Sequence, residues 1–170
     1  IATWNSYSPC STEFANVFNK YFVLYTNCGK SGCVSSLEKD EEGKDLGLKG
    51  YKSYTGRSSI AAAWFDDGQF ISSDGTFVAI NHCDQKNKIT IGIDINGMKK
   101  HPNKIGHDFF LFQIQEDGKL LPMGAEGTTS NGWSGNPENF CSKTSTGGSN
   151  GFTCAYKASY DKDFFKNLPK

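Results

Sequence analysis

Two strand-like runs, joined by a loop that contains Gly, Pro and Asn residues, constrain the fold of this chain more than any other feature. In residues 88–95, isoleucine occupies every second position, and in residues 108–115 the alternate positions hold Phe110, Phe112 and Ile114. A period of two places these apolar side chains on one face of each strand. We therefore predict two half-buried β-strands, connected by the twelve residues between them.

The connecting loop contains residues that restrict its backbone path. Gly97 and Gly106 allow positive φ angles, and Pro102 fixes its own φ. Asn96 and Asn103 have side chains that can hydrogen-bond to nearby backbone groups. This composition predicts a loop with one defined backbone conformation rather than a flexible connection.

Oxygen-bearing groups at the two ends of the loop suggest a metal site. The candidate ligands are Asp94, Asn96, the backbone carbonyl of Met98 and Asp108. Such hard oxygen atoms suit Ca²⁺, and no other cofactor is expected. The spacing does not match an EF-hand loop, because a glycine stands at the fourth place and Ile105 occupies the twelfth. We therefore favour the interpretation in which Asp94 and Asp108 accept hydrogen bonds from loop N–H groups without a metal, and keep the calcium site as the alternative.

The same residues form a pattern, D-x-N-G, then P-N, then G-x-D-x-F-x-F-x-I, that resembles one in the globular domains of type IV pilin-like proteins. The matching residues are Asp94, Asn96, Gly97, Pro102, Asn103, Gly106, Asp108, Phe110, Phe112 and Ile114. A W-F-D-D-G turn, a G-K-L-L-P-M-G ending and an N-G-x-x-C-A-x-K segment are similar to counterparts in those proteins. The resemblance implies a structural subunit whose partners are other pilin subunits, contacted through an apolar N-terminal helix, and a filament assembly machinery in the membrane.

Chain length and charge narrow the functional classes. The chain has 170 residues, which fits a single domain over residues 1–170 with its own core. Its 18 Lys and Arg residues balance 18 Asp and Glu residues, and Arg57 is the one arginine. A nucleic-acid-binding domain usually carries a basic excess, so nucleic acid is not an expected partner.

Six cysteines are compatible with disulfides or with zinc. They are Cys10, Cys28, Cys33, Cys83, Cys141 and Cys154, and no two of them form a C-x2-C pair. An even number in a chain of this size favours disulfides and an extracellular or periplasmic location. The sequence cannot select one pairing. We prefer Cys141–Cys154, closing a C-terminal loop, and Cys28–Cys33, closing a tight turn, which leaves Cys10 with Cys83.

The N-terminal part of the chain predicts a helix followed by a polar connection. The apolar residues at helical spacing are Phe14, Val17, Phe18, Tyr21, Phe22 and Tyr25. Their period predicts an amphipathic helix over residues 11–27 that packs on the core. Residues 28–58 are mostly polar and predict a long connection. Within it Tyr51, Tyr54 and Arg57 either pack in the loop, which we favour, or form a partner-binding patch.

The remaining residues predict an antiparallel sheet and a tail. Apolar runs separated by turn sequences occupy residues 60–65, 69–72, 76–81, 88–95, 108–115 and 120–122. They indicate a β-meander over residues 59–122. The tail, residues 125–170, would be closed by Cys141–Cys154 and end in a helical turn. The predicted fold class is therefore α+β, with an N-terminal amphipathic helix packed on an antiparallel β-sheet and a disulfide-closed C-terminal loop.

We expect a structural subunit of a type IV pilus-like or type II secretion pseudopilus filament, not an enzyme. Nucleophile-elbow, phosphate-loop and zinc-protease motifs are all missing from the sequence. One alternative is a secreted adhesin or carbohydrate-binding module, with Trp133 as the candidate binding residue. A second alternative is a small secreted hydrolase.

The expected anchoring helix is not visible in the sequence. The apolar runs are all shorter than a bilayer span, and the first residue is Ile1. We expect a precursor that is anchored in the inner membrane and then assembled, and a soluble monomer for the sequence as it stands.

Overall fold

The computed structural model shows a chain dominated by antiparallel β-structure. It describes residues 20–21, 24–29, 32–34, 37–39, 45–48, 50–61, 64–81, 89–129 and 137–170. Within these ranges, no helix has the length and apolar character needed to cross a membrane.

Six strands form one antiparallel sheet. In chain order they are β1 (Leu24–Asn27), β4 (Gly68–Ser72), β5 (Phe77–Asn81), β6 (Thr90–Asp94), β7 (Phe109–Ile114) and β8 (Leu120–Pro122). Two short strands, β2 (Leu37–Lys39) and β3 (Asp45–Leu48), pair with each other in a separate sheet. In the large sheet the order is β1-β4-β5-β6-β7-β8, so strands β4 to β8 pair in sequence order. Such local connections are typical of a β-meander.

Both faces of the central strands are buried, and side-chain alternation decides which residue lies on which face. One face carries Phe77, Ala79, Phe109 and Leu111, which pack with Tyr51, Phe65 and Phe152 from outside the sheet. The other face carries Phe70, Val78, Ile80, Ile89 and Ile91. The predicted alternation of isoleucines is confirmed on this second face, although Ile95 lies beyond β6 and is exposed.

A glycine in β6 makes room for an aromatic ring on the first face. A Cβ added to Gly92 would overlap the ring of Phe109, whose side chain is fully buried. Phe109 is also the cross-strand partner of Asp94. The ring therefore lies over the β6 backbone, next to the loop that joins β6 to β7.

The C-terminal segment, residues 137–170, folds around a disulfide. A 3₁₀-helix (Pro137–Phe140) leads to Cys141, which is bonded to the first residue of helix α1 (Cys154–Tyr160). A second 3₁₀-helix (Phe164–Asn167) follows. Cys141, Cys154 and Phe164 share a buried cluster with Phe110 of β7, so the segment packs against the sheet.

The predicted fold class is wrong in its first element. Residues 24–27, which we assigned to the end of an amphipathic helix, form β1 and pair with β4. Tyr21, assigned to the buried stripe of that helix, is 83% exposed. Aromatic and β-branched residues suit a strand at least as well as a helix, and the edge of β4 needs a hydrogen-bonding partner.

The described fold is therefore a six-stranded antiparallel sheet, not an N-terminal helix packed on a sheet. Helix α1 in the C-terminal segment is the α-helix that the structure describes over its full length. Residues 11–19 of the predicted helix lie outside the described ranges.

The other sequence predictions have mixed outcomes. The connection predicted over residues 28–58 contains β2 and β3, and the described part of residues 60–65 lies outside the sheet. The five later strands are confirmed, with ends that differ by up to two residues. The bonds Cys28–Cys33 and Cys141–Cys154 are confirmed, whereas Cys10 and Cys83 lie outside the described residues.

Candidate functional site

The loop between β6 and β7, residues 95–108, is called the crossover loop below. It contains much of the sequence pattern that resembles pilin-like proteins. At its start Asp94, the last residue of β6, is fully buried. The Asp94 carboxylate accepts hydrogen bonds from the backbone N–H groups of Asn96 (3.2 Å) and Gly97 (2.9 Å). Gly97 has a φ of 81°, and an added Cβ would overlap the carbonyl oxygen of Gly75 in the β4–β5 turn. One side chain and one close backbone contact thus position the first turn of the loop.

A third hydrogen bond to Asp94 comes from a distant part of the sequence. The Tyr51 hydroxyl donates to Asp94 Oδ2 at 2.6 Å, and both residues are at most 1% exposed. The Tyr51 ring packs against Phe65 and Phe109, with ring centroids 5.6 and 5.3 Å apart. Tyr51 therefore connects the crossover loop to the hydrophobic core. Tyr54 is also buried. For Tyr51 and Tyr54, the prediction that they pack in the interior rather than form a partner-binding patch is confirmed.

Burial controls the ionisation of this pair. Loss of solvent raises the pKa of the Asp94 carboxyl, while the hydrogen bonds from Tyr51 and from the loop N–H groups act to lower it. Burial also raises the pKa of the Tyr51 hydroxyl far above its ordinary value, and the charge of Asp94 adds to this effect. Tyr51 consequently stays protonated and donates its hydrogen bond across the physiological pH range.

Asp108 organises the other end of the crossover loop. Its carboxylate accepts hydrogen bonds from the backbone N–H groups of Asn103 and Lys104, both at 2.8 Å. It also accepts a longer one, 3.4 Å, from the side-chain amide of Asn96. Because the Asn96 N–H binds Asp94, Asn96 links the two carboxylates. The structure therefore brings together Asp94, Asn96 and Asp108, the three side chains named as candidate calcium ligands.

The middle of the loop turns at Pro102 and Asn103. The peptide bond between His101 and Pro102 is cis, and Asn103 has a φ of 49°, in the left-handed region. The Asn103 side-chain Nδ2 donates to the carbonyl of Met98 at 2.9 Å. Asparagine is one of the few non-glycine residues that tolerate this conformation, and here its amide also closes the turn. The prediction of a specified loop conformation is confirmed.

The second half of the crossover loop packs against the C-terminal segment. Gly106 has a φ of 82°, and an added Cβ would lie 2.8 Å from the Cys154 side chain. A Cβ added to Gly151 would lie 2.7 Å from the side chain of Ile105. These close approaches place the loop backbone directly against the disulfide-closed segment.

His107 connects the crossover loop to Tyr54. The imidazole Nε2 lies 2.9 Å from the Tyr54 carbonyl oxygen, and the two rings meet edge to face. A carbonyl oxygen can only accept, so Nε2 carries the proton and donates. Burial lowers the pKa of the imidazole, although the hydrogen bond to Tyr54 opposes this shift.

A groove of about 370 Å³ lies between the β4–β5 turn and the start of the crossover loop. Ile71 and Met98 contribute apolar lining, and Asp74, Lys99 and Lys100 contribute charge. The two buried carboxylates of the loop are not part of its lining. Their polar atoms therefore serve the interior of the loop rather than a ligand in the groove.

The hydrogen bonds of the crossover loop agree with the metal-free interpretation of its carboxylates. Asp94 and Asp108 accept hydrogen bonds from loop N–H groups, and no metal-binding group of three His, Cys, Asp or Glu side chains is found among the described residues. The Oδ1 atoms of Asn96 and Asn103 are buried with no protein donor. The metal-free interpretation therefore stays our prediction, with the calcium site as its alternative. Trp133, the candidate of the carbohydrate-binding alternative, lies outside the described residues.

Comparison of the chain with protein-family models, curated proteins and solved structures found no match. The resemblance to pilin-like proteins consequently rests on the sequence pattern alone. The structure shows which hydrogen bonds and close contacts the residues of this pattern make within the loop.

Replacing Tyr51 with Phe should lower the free energy of unfolding by about 1–3 kcal/mol, because the buried Asp94 carboxylate loses a donor. Urea denaturation measures this change. Tyr160→Phe is the matched control, since it removes a hydrogen bond from another tyrosine hydroxyl to a carboxylate, that of Glu138, at an exposed site. The control should cost about 0.5 kcal/mol or less. Equal costs for the two variants would contradict the role assigned to Tyr51.

The contribution of His107 to stability should fall as the pH is lowered from about 7.5 to about 5.5. In the unfolded chain His107 takes up a proton near its ordinary pKa of 6.5, whereas the folded chain does so only at lower pH. The unfolded state therefore binds more protons in this range and gains stability relative to the folded state. His107→Gln should flatten the pH dependence measured by urea denaturation, and His101→Gln, at an exposed position, should not. Parallel pH profiles for the wild type and His107→Gln would refute this assignment.

Adding Ca²⁺ or EDTA should leave the melting temperature unchanged, because the carboxylates of the crossover loop are already satisfied by N–H donors. Asp108→Asn should lower the melting temperature equally in both conditions, since it removes acceptor strength from two backbone N–H groups. Differential scanning fluorimetry tests both statements. A rise in melting temperature with Ca²⁺ that Asp108→Asn abolishes would establish the calcium site instead.

Proposed function

We propose that this chain is the globular domain of a structural subunit in a type IV pilus-like filament or a type II secretion pseudopilus. The strongest support is the crossover loop. Asp94, Gly97, Asn103, Gly106 and Asp108 belong to the pattern that resembles pilin-like proteins, and each makes a hydrogen bond or close contact that builds the loop. The residues that carry the resemblance are thus the ones that build the loop.

The chemistry of the described polar groups supports a structural role over a catalytic one. Asp94, Asp108 and His107 are buried or half-buried titratable groups at the loop, and all three are engaged by backbone groups or by Tyr51. A general acid or base has to reach a substrate, and these groups face the interior of the loop. Their hydrogen bonds maintain the conformation of the crossover loop.

Two disulfides support assembly outside the cytoplasm. Cys28–Cys33 closes the segment after β1, and Cys141–Cys154 closes the C-terminal segment. Such bonds form and persist in oxidising compartments, including the periplasm and the cell surface. This is the environment in which a filament subunit exposes its globular domain.

The proposed partners are other subunits of the same filament and the membrane machinery that assembles them. In pilin-like proteins the subunits join through an apolar helix that precedes the globular domain. The coding sequence upstream of the codon for Ile1 is therefore informative. It should encode a basic leader and an apolar stretch of about 20 residues with a single Glu near its start; an ordinary cleaved signal peptide directly before Ile1 would contradict the proposal.

The proposal also predicts where the protein is found. In cells that produce it, antibodies against residues 137–170 should label surface filaments or overproduced pseudopili, and the sheared filament fraction should contain the chain. Deleting the assembly ATPase of the filament system should remove the chain from this fraction while leaving its total amount unchanged. Detection only as free protein in the medium, independent of that ATPase, would contradict the proposal.

A further inference from the structure

The two disulfides that the structure describes differ in how easily a thiol can reach them. Cys28 and Cys33 are both half-buried, whereas Cys141 and Cys154 are 3% and 0% exposed. Exchange requires a thiolate to attack one of the two sulfur atoms, so its rate depends on access. The Cys28–Cys33 bond is therefore the more accessible of the two in the folded protein.

The packing around the second disulfide protects it. Cys141 and Cys154 share a buried cluster with Phe110 and Phe164. Cys154 also lies so close to Gly106 of the crossover loop that an added Cβ there would be 2.8 Å from its sulfur. A reductant reaches this bond only when the C-terminal segment separates from the sheet.

The turn closed by Cys28 and Cys33 is also held by hydrogen bonds to Gln69 of β4, which is 2% exposed. The Gln69 carbonyl oxygen accepts from the Cys28 N–H at 3.0 Å, and the Gln69 N–H donates to the carbonyl of Gly29 at 2.8 Å. The side-chain Oε1 of Gln69 accepts from the N–H groups of Cys33 (3.0 Å) and Val34 (2.8 Å). One residue thus binds both ends of the turn.

The Gln69 side chain is itself fixed by the core. Its Nε2 donates to the carbonyl oxygen of Phe65 at 2.6 Å, and Phe65 is 1% exposed. When the disulfide is open, these hydrogen bonds still hold Cys28 and Cys33 side by side. Their Cα atoms are 5.2 Å apart, within the usual range for a disulfide. The two thiols therefore stay in position to form the bond again.

Opening this bond has a smaller effect on stability than opening the other. Cys28–Cys33 joins residues five positions apart, against 13 positions for Cys141–Cys154. A bond that closes a short loop restricts the unfolded chain less, so it contributes less to stability. The protein is consequently expected to stay folded when Cys28–Cys33 is reduced.

We infer that the Cys28–Cys33 bond is a site of reversible thiol–disulfide exchange on the folded protein, whereas Cys141–Cys154 is a permanent structural bond. The exchange partner is a dithiol, which opens a disulfide in two steps. In an oxidising compartment the closed form is the resting form. The inference goes beyond the proposed function and does not depend on it.

The exchange transfers two electrons. A thiolate of the dithiol attacks the Sγ atom of Cys28, since Cys33 packs against the core cluster that contains Phe65. The S–S bond breaks, its electron pair leaves with the Cys33 sulfur, and a mixed disulfide joins the dithiol to Cys28. The second sulfur of the dithiol then attacks the first and releases Cys28. The dithiol ends as a disulfide, and its two electrons and two protons end on the two cysteines.

Timed alkylation of the unmodified chain tests the difference between the two bonds. The native protein is treated with dithiothreitol, quenched at intervals with iodoacetamide and digested with trypsin, which cleaves at Lys30 between Cys28 and Cys33. Mass spectrometry then follows each cysteine separately. Cys28 and Cys33 should be alkylated about tenfold or more faster than Cys141 and Cys154, and urea that unfolds the chain should remove the difference. Equal rates for the two pairs in the native protein would overturn the inference.

Re-formation of the bond tests the part assigned to Gln69. After selective reduction, removal of dithiothreitol and addition of oxidised glutathione should restore the Cys28–Cys33 bond in the native chain. Gln69→Ala should slow this step by about tenfold, because Cys33 and Val34 lose their acceptor. Gln113→Ala is the matched control, since Gln113 is equally buried in β7 and its Oε1 holds a different segment through Thr129.

The outcomes of this second experiment are distinct from those of the first. Circular dichroism establishes that each variant is folded, and the alkylation experiment needs no variant. If Gln113→Ala slows re-formation as much as Gln69→Ala does, the positioning role of Gln69 is overturned. If the native chain forms mixed disulfides with glutathione but does not close the Cys28–Cys33 bond, its reversibility is overturned.

Discussion

The buried carboxylate of Asp94 is the group on which the arrangement of the central strands and the crossover loop depends. A carboxylate removed from water is costly unless hydrogen-bond donors surround it. Here the donors are the Tyr51 hydroxyl and the N–H groups of Asn96 and Gly97. Satisfying this one side chain positions the end of β6, the first turn of the loop and the segment that contributes Tyr51. The conformation of the loop is thereby coupled to the packing of the core.

The C-terminal segment holds the other side of the crossover loop. The bond between Cys141 and Cys154 joins α1 to the preceding 3₁₀-helix, and the Glu138 carboxylate of that 3₁₀-helix accepts hydrogen bonds from Lys157 and Tyr160 of α1. Because Cys154 lies against Gly106, this cross-linked unit also supports the loop. A loop held between a hydrophobic core and a cross-linked segment presents the same surface in every copy of the protein.

A structural element could be predicted when the interactions that determine it lie between residues close together in the sequence. The crossover loop and strands β4 to β8 were predictable, because their turn residues and alternation act within a few positions. The choice between helix and strand at residues 24–27 was not, since pairing with β4 decides it. The contact between Tyr51 and Asp94 spans 43 positions and leaves no local signal. Helix α1 begins in a Gly-, Ser- and Thr-rich tail, where the disulfide and a hydrogen bond from Tyr156 to Met123 support it.

The distribution of polar groups bears on function more directly than the fold does. In an enzyme, perturbed titratable groups usually converge on a cavity that a substrate can enter. In this chain, Asp94, Tyr51 and His107 have shifted pKa values because they are buried, and their partners are the backbone and each other. Buried polar groups engaged in this way maintain the conformation of the loop and its contacts with the core.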